Sequence, residues 1–151
     1  MKKSNDFKWL RVLNNFISDQ IISYENNRSH PLGSVLSEMC IDTWGQEKPA
    51  DPAVWQDWKI VTEEIFNSKC ASETRNSLVE PQPITKEQAF MASFNILDQV
   101  YWKDNHGITL GEVMREVNRC LGDIEKNESS AFWLEWVKYL QAERGKEYAF
   151  D

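Results

Sequence analysis

The sequence predicts an all-α protein of about six helices, arranged as two pseudo-equivalent three-helix repeats packed into one domain. Three observations carry that prediction. Apolar residues recur at steps of three and four through most of the chain, and no segment alternates convincingly with period two. Residues 32–39, LGSVLSEM, return at 110–117 as LGEVMREV. The same 78-residue offset carries Ala53-Val54-Trp55-Gln56-Asp57-Trp58 onto Ala131-Phe132-Trp133-Leu134-Glu135-Trp136. The 151-residue length is one domain's worth of chain. One copy of roughly 60 residues would struggle to cover its own aromatic face, so the two are expected to bury those faces against each other.

The first repeat spans about 6–70 and opens with a helix whose stripe is Leu10, Leu13, Ile17, Ile21 and Tyr24. Its second helix carries Leu32, Val35, Leu36 and Met39, with Pro31 suited to the first turn. Its third begins at Asp51-Pro52, an N-cap followed by proline, and runs through Val54, Trp58, Val61 and Ile65. A connector of about 71–84 collects polar residues with Pro81 and Pro83 and has no helical period. The second repeat, about 85–147, opens on the capping box Thr85-Lys86-Glu87-Gln88 and the stripe Phe90, Phe94, Leu97, Tyr101. Asp98-Gln99 near the end of that helix matches Asp19-Gln20, one residue out of register with the rest. Thr109 with Glu112 caps the next helix, which carries Leu110, Val113, Met114 and Val117. The last starts near Ser129-Ser130, carries Trp133, Trp136 and Leu140, and stops at Gly145. Trp55, Trp58, Trp133 and Trp136 are expected in the core.

Little in the chain speaks for catalysis. It has no glycine-rich phosphate loop, no GxSxG elbow, no HExxH and no EF-hand loop. Cys40, Cys70 and Cys120 form no CxxC pair, so neither a disulfide framework nor a zinc site is signalled. His30 and His106 fall in corresponding loops and read as ordinary polar residues. Glu112 and Glu116 interleave with Arg115 and Arg119 on one helix, a pattern expected to make a self-compensating solvated face. No enzyme, cofactor or metal is expected. The N-terminal Met-Lys-Lys-Ser-Asn-Asp lacks an apolar run, and no stretch approaches the roughly 18 apolar residues of a membrane helix, so a cytoplasmic location is expected.

Charge points to a partner. Seventeen basic and 24 acidic residues leave a net charge of −7, which argues against a surface that tracks nucleic-acid phosphates. The excess is unequal: −2 through residue 75 and −5 from residue 76 onward. Asp123, Glu125 and Glu128 share a short connection with only Lys126 to offset them, and these three with Asp104 are the candidate contacts for a cationic protein surface.

Residues 84–102, ITKEQAFMASFNILDQVYW, followed by LGEVM, together with LGSVLSEM and ADPAVWQDW of the first repeat, resemble a family of small bacterial immunity proteins. These belong to contact-dependent growth inhibition and other polymorphic toxin systems. The opening motif is best kept at Thr85, Glu87, Ala89 and Phe90, and the second at Asp51, Pro52, Ala53, Trp55, Asp57 and Trp58. In the second repeat Glu135 replaces the aspartate, and Ser129-Ser130 stand where Asp-Pro would be. The resemblance implies a non-enzymatic protein that binds one toxin C-terminal domain and blocks it in the cytoplasm, and the repeated segments make this chain an internally duplicated form. A basic nuclease is the expected toxin, because nuclease domains must attract polyanions. A generic helical adaptor or regulatory module is the alternative.

Overall fold

The computed structural model describes residues 5–42, 48–66, 84–103, 106–126, 128, 130–148 and 150. Among them the chain is mostly helical, as expected: α1 (Asn5–Ser23), α2 (Leu32–Met39), α3 (Pro52–Phe66), α4 (Lys86–Lys103), α5 (Leu110–Glu125) and α6 (Ala131–Glu143). Between α2 and α3 lie β1 (Ile41–Asp42) and β2 (Lys48–Pro49), an antiparallel pair with Ile41 opposite Pro49. Two residues per strand are too few to leave an alternating pattern, so the sequence does not announce them. The expected connector lies outside the described residues except for Ile84, which is buried.

The expected caps form. Ala53 N–H donates to Asp51 Oδ1 at 2.9 Å, ahead of α3. Thr85 and Gln88 bond reciprocally at 3.1 and 3.0 Å, and Thr109 and Glu112 do so at 3.3 and 3.0 Å. Ser130 Oγ accepts from Trp133 N–H at 3.2 Å to start α6. Each satisfies an N–H that the first turn of a helix leaves without an internal partner. Pro31 departs by one place: it is the N-cap of α2, with ψ 141°, rather than part of its first turn. Past α6, Gly145 takes the left-handed φ of +89° that favours glycine.

Buried residues from α1–α3 and from α4–α6 form one hydrophobic cluster. Trp58 and Trp136 are its largest fully buried side chains. A buried indole N–H needs an acceptor, and each finds one across the molecule. Trp58 Nε1 on α3 donates to the Lys86 carbonyl at the start of α4, and Trp136 Nε1 on α6 donates to the Asp6 carbonyl at the start of α1, both at 3.0 Å. Trp9 stacks over Trp58, while Phe16 and Phe90 meet it edge-on. Trp55 is buried against Phe90; Trp133 is half-buried at the margin of the cluster rather than inside it.

A second crossing joins the loops before α2 and α5. Leu32 N–H donates to the Ile108 carbonyl at 3.1 Å and Leu110 N–H to the His30 carbonyl at 2.9 Å, around an antiparallel bridge between Pro31 and Thr109. This explains the Leu-Gly pairs. A Cβ on Gly111 would lie 2.8 Å from Arg28 Cβ and 3.0 Å from the Arg28 carbonyl oxygen; one on Gly33 would lie 2.9 Å from the Tyr101 hydroxyl.

The C-terminal segment also belongs to the core, beyond the limit of about 147 expected for the second repeat. Phe150 is only 3% exposed and meets Trp55 and Phe90 edge-on. Buried Gln88, besides capping α4, donates through Nε2 to the Lys146 carbonyl at 2.7 Å and ties this segment down.

Trp58→Ala and Trp136→Ala should each destabilise the fold by about 3–5 kcal/mol, from lost transfer energy and the cavity left behind. Chemical denaturation checks this, and a loss under about 1 kcal/mol would contradict full burial. Gly111→Ala should lower stability by about 1–3 kcal/mol, because the new methyl meets backbone. Gly33→Ala should be the milder change, since the end of a tyrosine side chain can give way and alanine favours the helix by about 1 kcal/mol.

Candidate functional site

Of the three acids expected in a connection, Asp123 and Glu125 belong to the last turn of α5 and only Glu128 lies beyond the helix. The Asp123 carbonyl accepts from Lys126 N–H at 3.1 Å and from Glu128 N–H at 2.8 Å, which folds the chain back on itself. Glu125 and Glu128 are exposed and Asp123 is half-exposed. Among the described residues, no ion pair or side-chain hydrogen bond engages these three carboxylates. Beneath them lies buried Cys120, to which Ser130 Oγ donates at 3.4 Å. Burial pushes the Cys120 thiol up, with the charges of Asp123 and Glu116 adding and the Ser130 bond opposing. Cys40 is free and exposed; Cys70 and the candidate Asp104 lie outside the described residues.

The face expected to be solvated and self-compensating is exposed at all four positions, but its opposite charges do not pair closely. Glu112 is engaged in its capping box, and among the described residues no ion pair joins Glu112 or Glu116 to Arg115 or Arg119. These four side chains instead edge a cleft of about 380 Å³ floored by Ile96, Val100, Val113 and Phe132. The cleft follows from packing: α5 lies chiefly against α1 and only lightly against α6, while α4 and α6 hold closely together.

Polar side chains align α4 with α6, among them Gln99 of the matched Asp-Gln pair and three the sequence did not single out, Asn95, Tyr139 and Glu143. Asn95 Nδ2 donates to Glu143 Oε2 at 3.1 Å, and one turn further the Tyr139 hydroxyl donates to Gln99 Oε1. Increasing numbers on α4 meet decreasing numbers on α6, so the helices run antiparallel. Glu143, 3% exposed, also accepts from the Tyr148 hydroxyl and pairs with Lys146 at 3.6 Å. Burial, then the charges of Glu135 and Asp98, push the Tyr139 hydroxyl above the usual phenol range. Glu135 Oε1 is sealed from solvent with no hydrogen-bond donor, and Lys138 Nζ stands 3.9 Å away. On the outer side of α4, Trp102 is 62% exposed.

Negative charge is not confined to the second half. Burial, together with the nearby carboxylates of Asp57 and Glu64, raises Asp19 on α1. Asp57, the acid of the DPAVWQDW segment, accepts from the amide of buried Gln20 at 3.0 Å and so joins α3 to α1. The matched Asp-Gln pairs thus place both glutamines at helix–helix contacts, a role their sequence match hinted at without naming the partners.

His30 stacks on Tyr24 at 3.6 Å, and His106 sits against Tyr101 and Trp102. Among the described residues, no cluster of three or more His, Cys, Asp and Glu side chains could hold a metal ion, and no helix is long and apolar enough to cross a membrane. No family model, curated protein or solved structure matches the chain.

Burial and a hydrogen bond to Glu38 push the Tyr24 hydroxyl up to about 12, from an ordinary value of 10.0. An acid held up in the folded state keeps its proton after the unfolded chain has lost it. Its contribution is therefore full below about pH 10 and lost as the pH rises toward 12. Stability measured by denaturant titration at stepped alkaline pH should fall across that window, and Tyr24→Phe should make the fall shallower. An unchanged slope in the variant would contradict the assignment.

Proposed function

We propose that this chain is an immunity protein: a cytoplasmic inhibitor that binds the C-terminal domain of a co-encoded toxin, a basic nuclease, one to one and without turnover. The observation that carries the reading is the end of α5 and the turn after it, where Asp123, Glu125 and Glu128 surround a pinned backbone with no counter-ion among the described residues. A net charge of −7 adds long-range attraction to a cationic partner. Such complementarity steers encounter, raising association toward about 10⁸–10⁹ M⁻¹s⁻¹ at low salt. The segments resembling immunity proteins, at 84–102 and 51–58, point the same way.

The reading includes internal duplication, with α1–α3 and α4–α6 as equivalent triplets. Its support is reciprocity: the matched tryptophans Trp58 and Trp136 each donate to the opening turn of the other triplet, and the Leu32 and Leu110 amides exchange bonds with the opposite loop.

Changing Asp123, Glu125 and Glu128 together to Lys should slow association with the toxin domain encoded beside this chain and weaken its salt dependence. Protection of cells expressing that domain should fall, while the melting temperature stays nearly constant, because exposed charges contribute about 0–1 kcal/mol to folding. Glu63 and Glu64, exposed on α3, supply a control of two charge reversals against three when changed to Lys. Control substitutions that abolish protection while the triple change leaves it intact would move the docking surface elsewhere. A wild-type chain that gives no protection would sink the immunity reading.

A further inference from the structure

We infer that the toxin's cationic side chains land on the outer face of the α4–α6 pair, with Trp102 as the anchor and Asp98 and Glu135 as the receiving carboxylates. This rests on the immunity reading and names a surface for it.

Two acid–aromatic pairs, each one helical turn apart, lie on adjacent antiparallel helices: Asp98 and Trp102 on α4, Glu135 and Tyr139 on α6. The Gln99–Tyr139 hydrogen bond fixes the register, and one further turn along α4 brings the Trp102 level to that of Glu135. Asp98 and Glu135 are both close enough to Tyr139 to disfavour its ionisation. A π face beside a carboxylate suits a guanidinium or ammonium group, which gains a cation–π contact and an ion pair together.

Trp102 is exposed yet held. Its Nε1 donates to Asp98 Oδ1 at 3.2 Å, and the His106 ring meets it edge-on at 4.2 Å. His106 is itself fixed by a left-handed φ of +66° and by its N–H bond to the Tyr101 carbonyl at 2.9 Å. A side chain already set in one arrangement loses little freedom on binding, and large exposed tryptophans are among the residues that dominate interfaces.

Glu135 borders the cleft toward α5 and pairs through its sealed Oε1 with Lys138 at 3.9 Å, while its side chain as a whole is 36% exposed. Lys138 is mostly exposed, and an exposed ion pair of this length contributes little, so a partner's cation can take its place. Lys103 lines the cleft beside Glu135, so the partner's cations approach from the Asp98 and Trp102 side and reach Glu135 at its exposed edge. The face also adjoins the acidic connection, since Glu128 is three residues before the start of α6 and Glu135 lies four residues, about 6 Å of helix rise, beyond that start.

The test is calorimetric titration of each full-length variant with the adjacent-gene toxin domain in a catalytically inactivated form. Trp102→Ala should bind about 30-fold or more weakly, the threshold of an interface hot spot, and Trp102→Phe should fall between it and wild type. Asp98→Asn and Glu135→Gln should each weaken binding by about 2- to 5-fold. Ile60→Ala, at a comparably exposed apolar residue on α3, should bind as wild type. Thermal melting of Trp102→Phe and Glu135→Gln should match wild type, which separates lost contact from lost fold. Wild-type affinity in Trp102→Ala, or an equal loss in Ile60→Ala, would overturn the assignment of this face while leaving the immunity reading intact. No binding by the wild-type chain would overturn the immunity reading and this inference with it.

Discussion

Two buried indole N–H groups set the terms for the rest of the structure. Trp58 and Trp136 lie at the centre of the core, where an unpaired N–H would be expensive. Each takes a carbonyl from the opening turn of a helix in the opposite triplet. Neither triplet can complete its own core, because the acceptor each tryptophan needs is held by the other. The loop crossing at Pro31 and Thr109 reinforces this, and Gly111 makes it possible by letting α5 begin against the Arg28 backbone. The lean of α5 toward α1 follows, and with it the cleft between α5 and the α4–α6 pair.

Much of the fold was legible because its signals are local. A serine, threonine or aspartate at a helix start acts on N–H groups two or three residues away, so Asp51, Thr85, Thr109 and Ser130 could be read directly. Helical stripes are equally local, and the residues at Leu32, Val35, Leu36 and Met39 are buried as the spacing predicts. What escaped depends on distant partners. Phe150 has no periodic neighbours in sequence and is buried only because Trp55 and Phe90 leave room for its ring. Trp133 shows the opposite error: it matches Trp55 in the alignment of the halves, yet lies at the edge of the cluster. Its neighbourhood differs even where its sequence position corresponds.

The candidate site was legible in composition more than in arrangement. Counting charges places the surplus in the second half, and the pinned connection at Asp123 gives that surplus a definite location. Counting could not foresee the crowding around Asp19, where carboxylates from α1 and α3 meet in space. Nor could i, i+3 and i, i+4 spacing reveal that Arg115 and Arg119 would edge a cleft rather than pair with Glu112 and Glu116. Spacing makes such pairs possible, but exposed ion pairs gain too little to enforce them. The Asp98–Trp102 pair was missed because its interest lies in exposure, which periodicity alone does not give.

Under the proposed immunity function, a basic toxin domain would be engaged through the acidic end of α5 and the adjoining α4–α6 face. Amide hydrogen exchange, measured on the full chain with and without the toxin domain encoded beside it, tests this directly. Slowed exchange is expected in the last turn of α5, the connection through Glu128 and the second half of α4, with α3 unchanged. Slowing confined to α1 and α3, or no slowing anywhere, would contradict it.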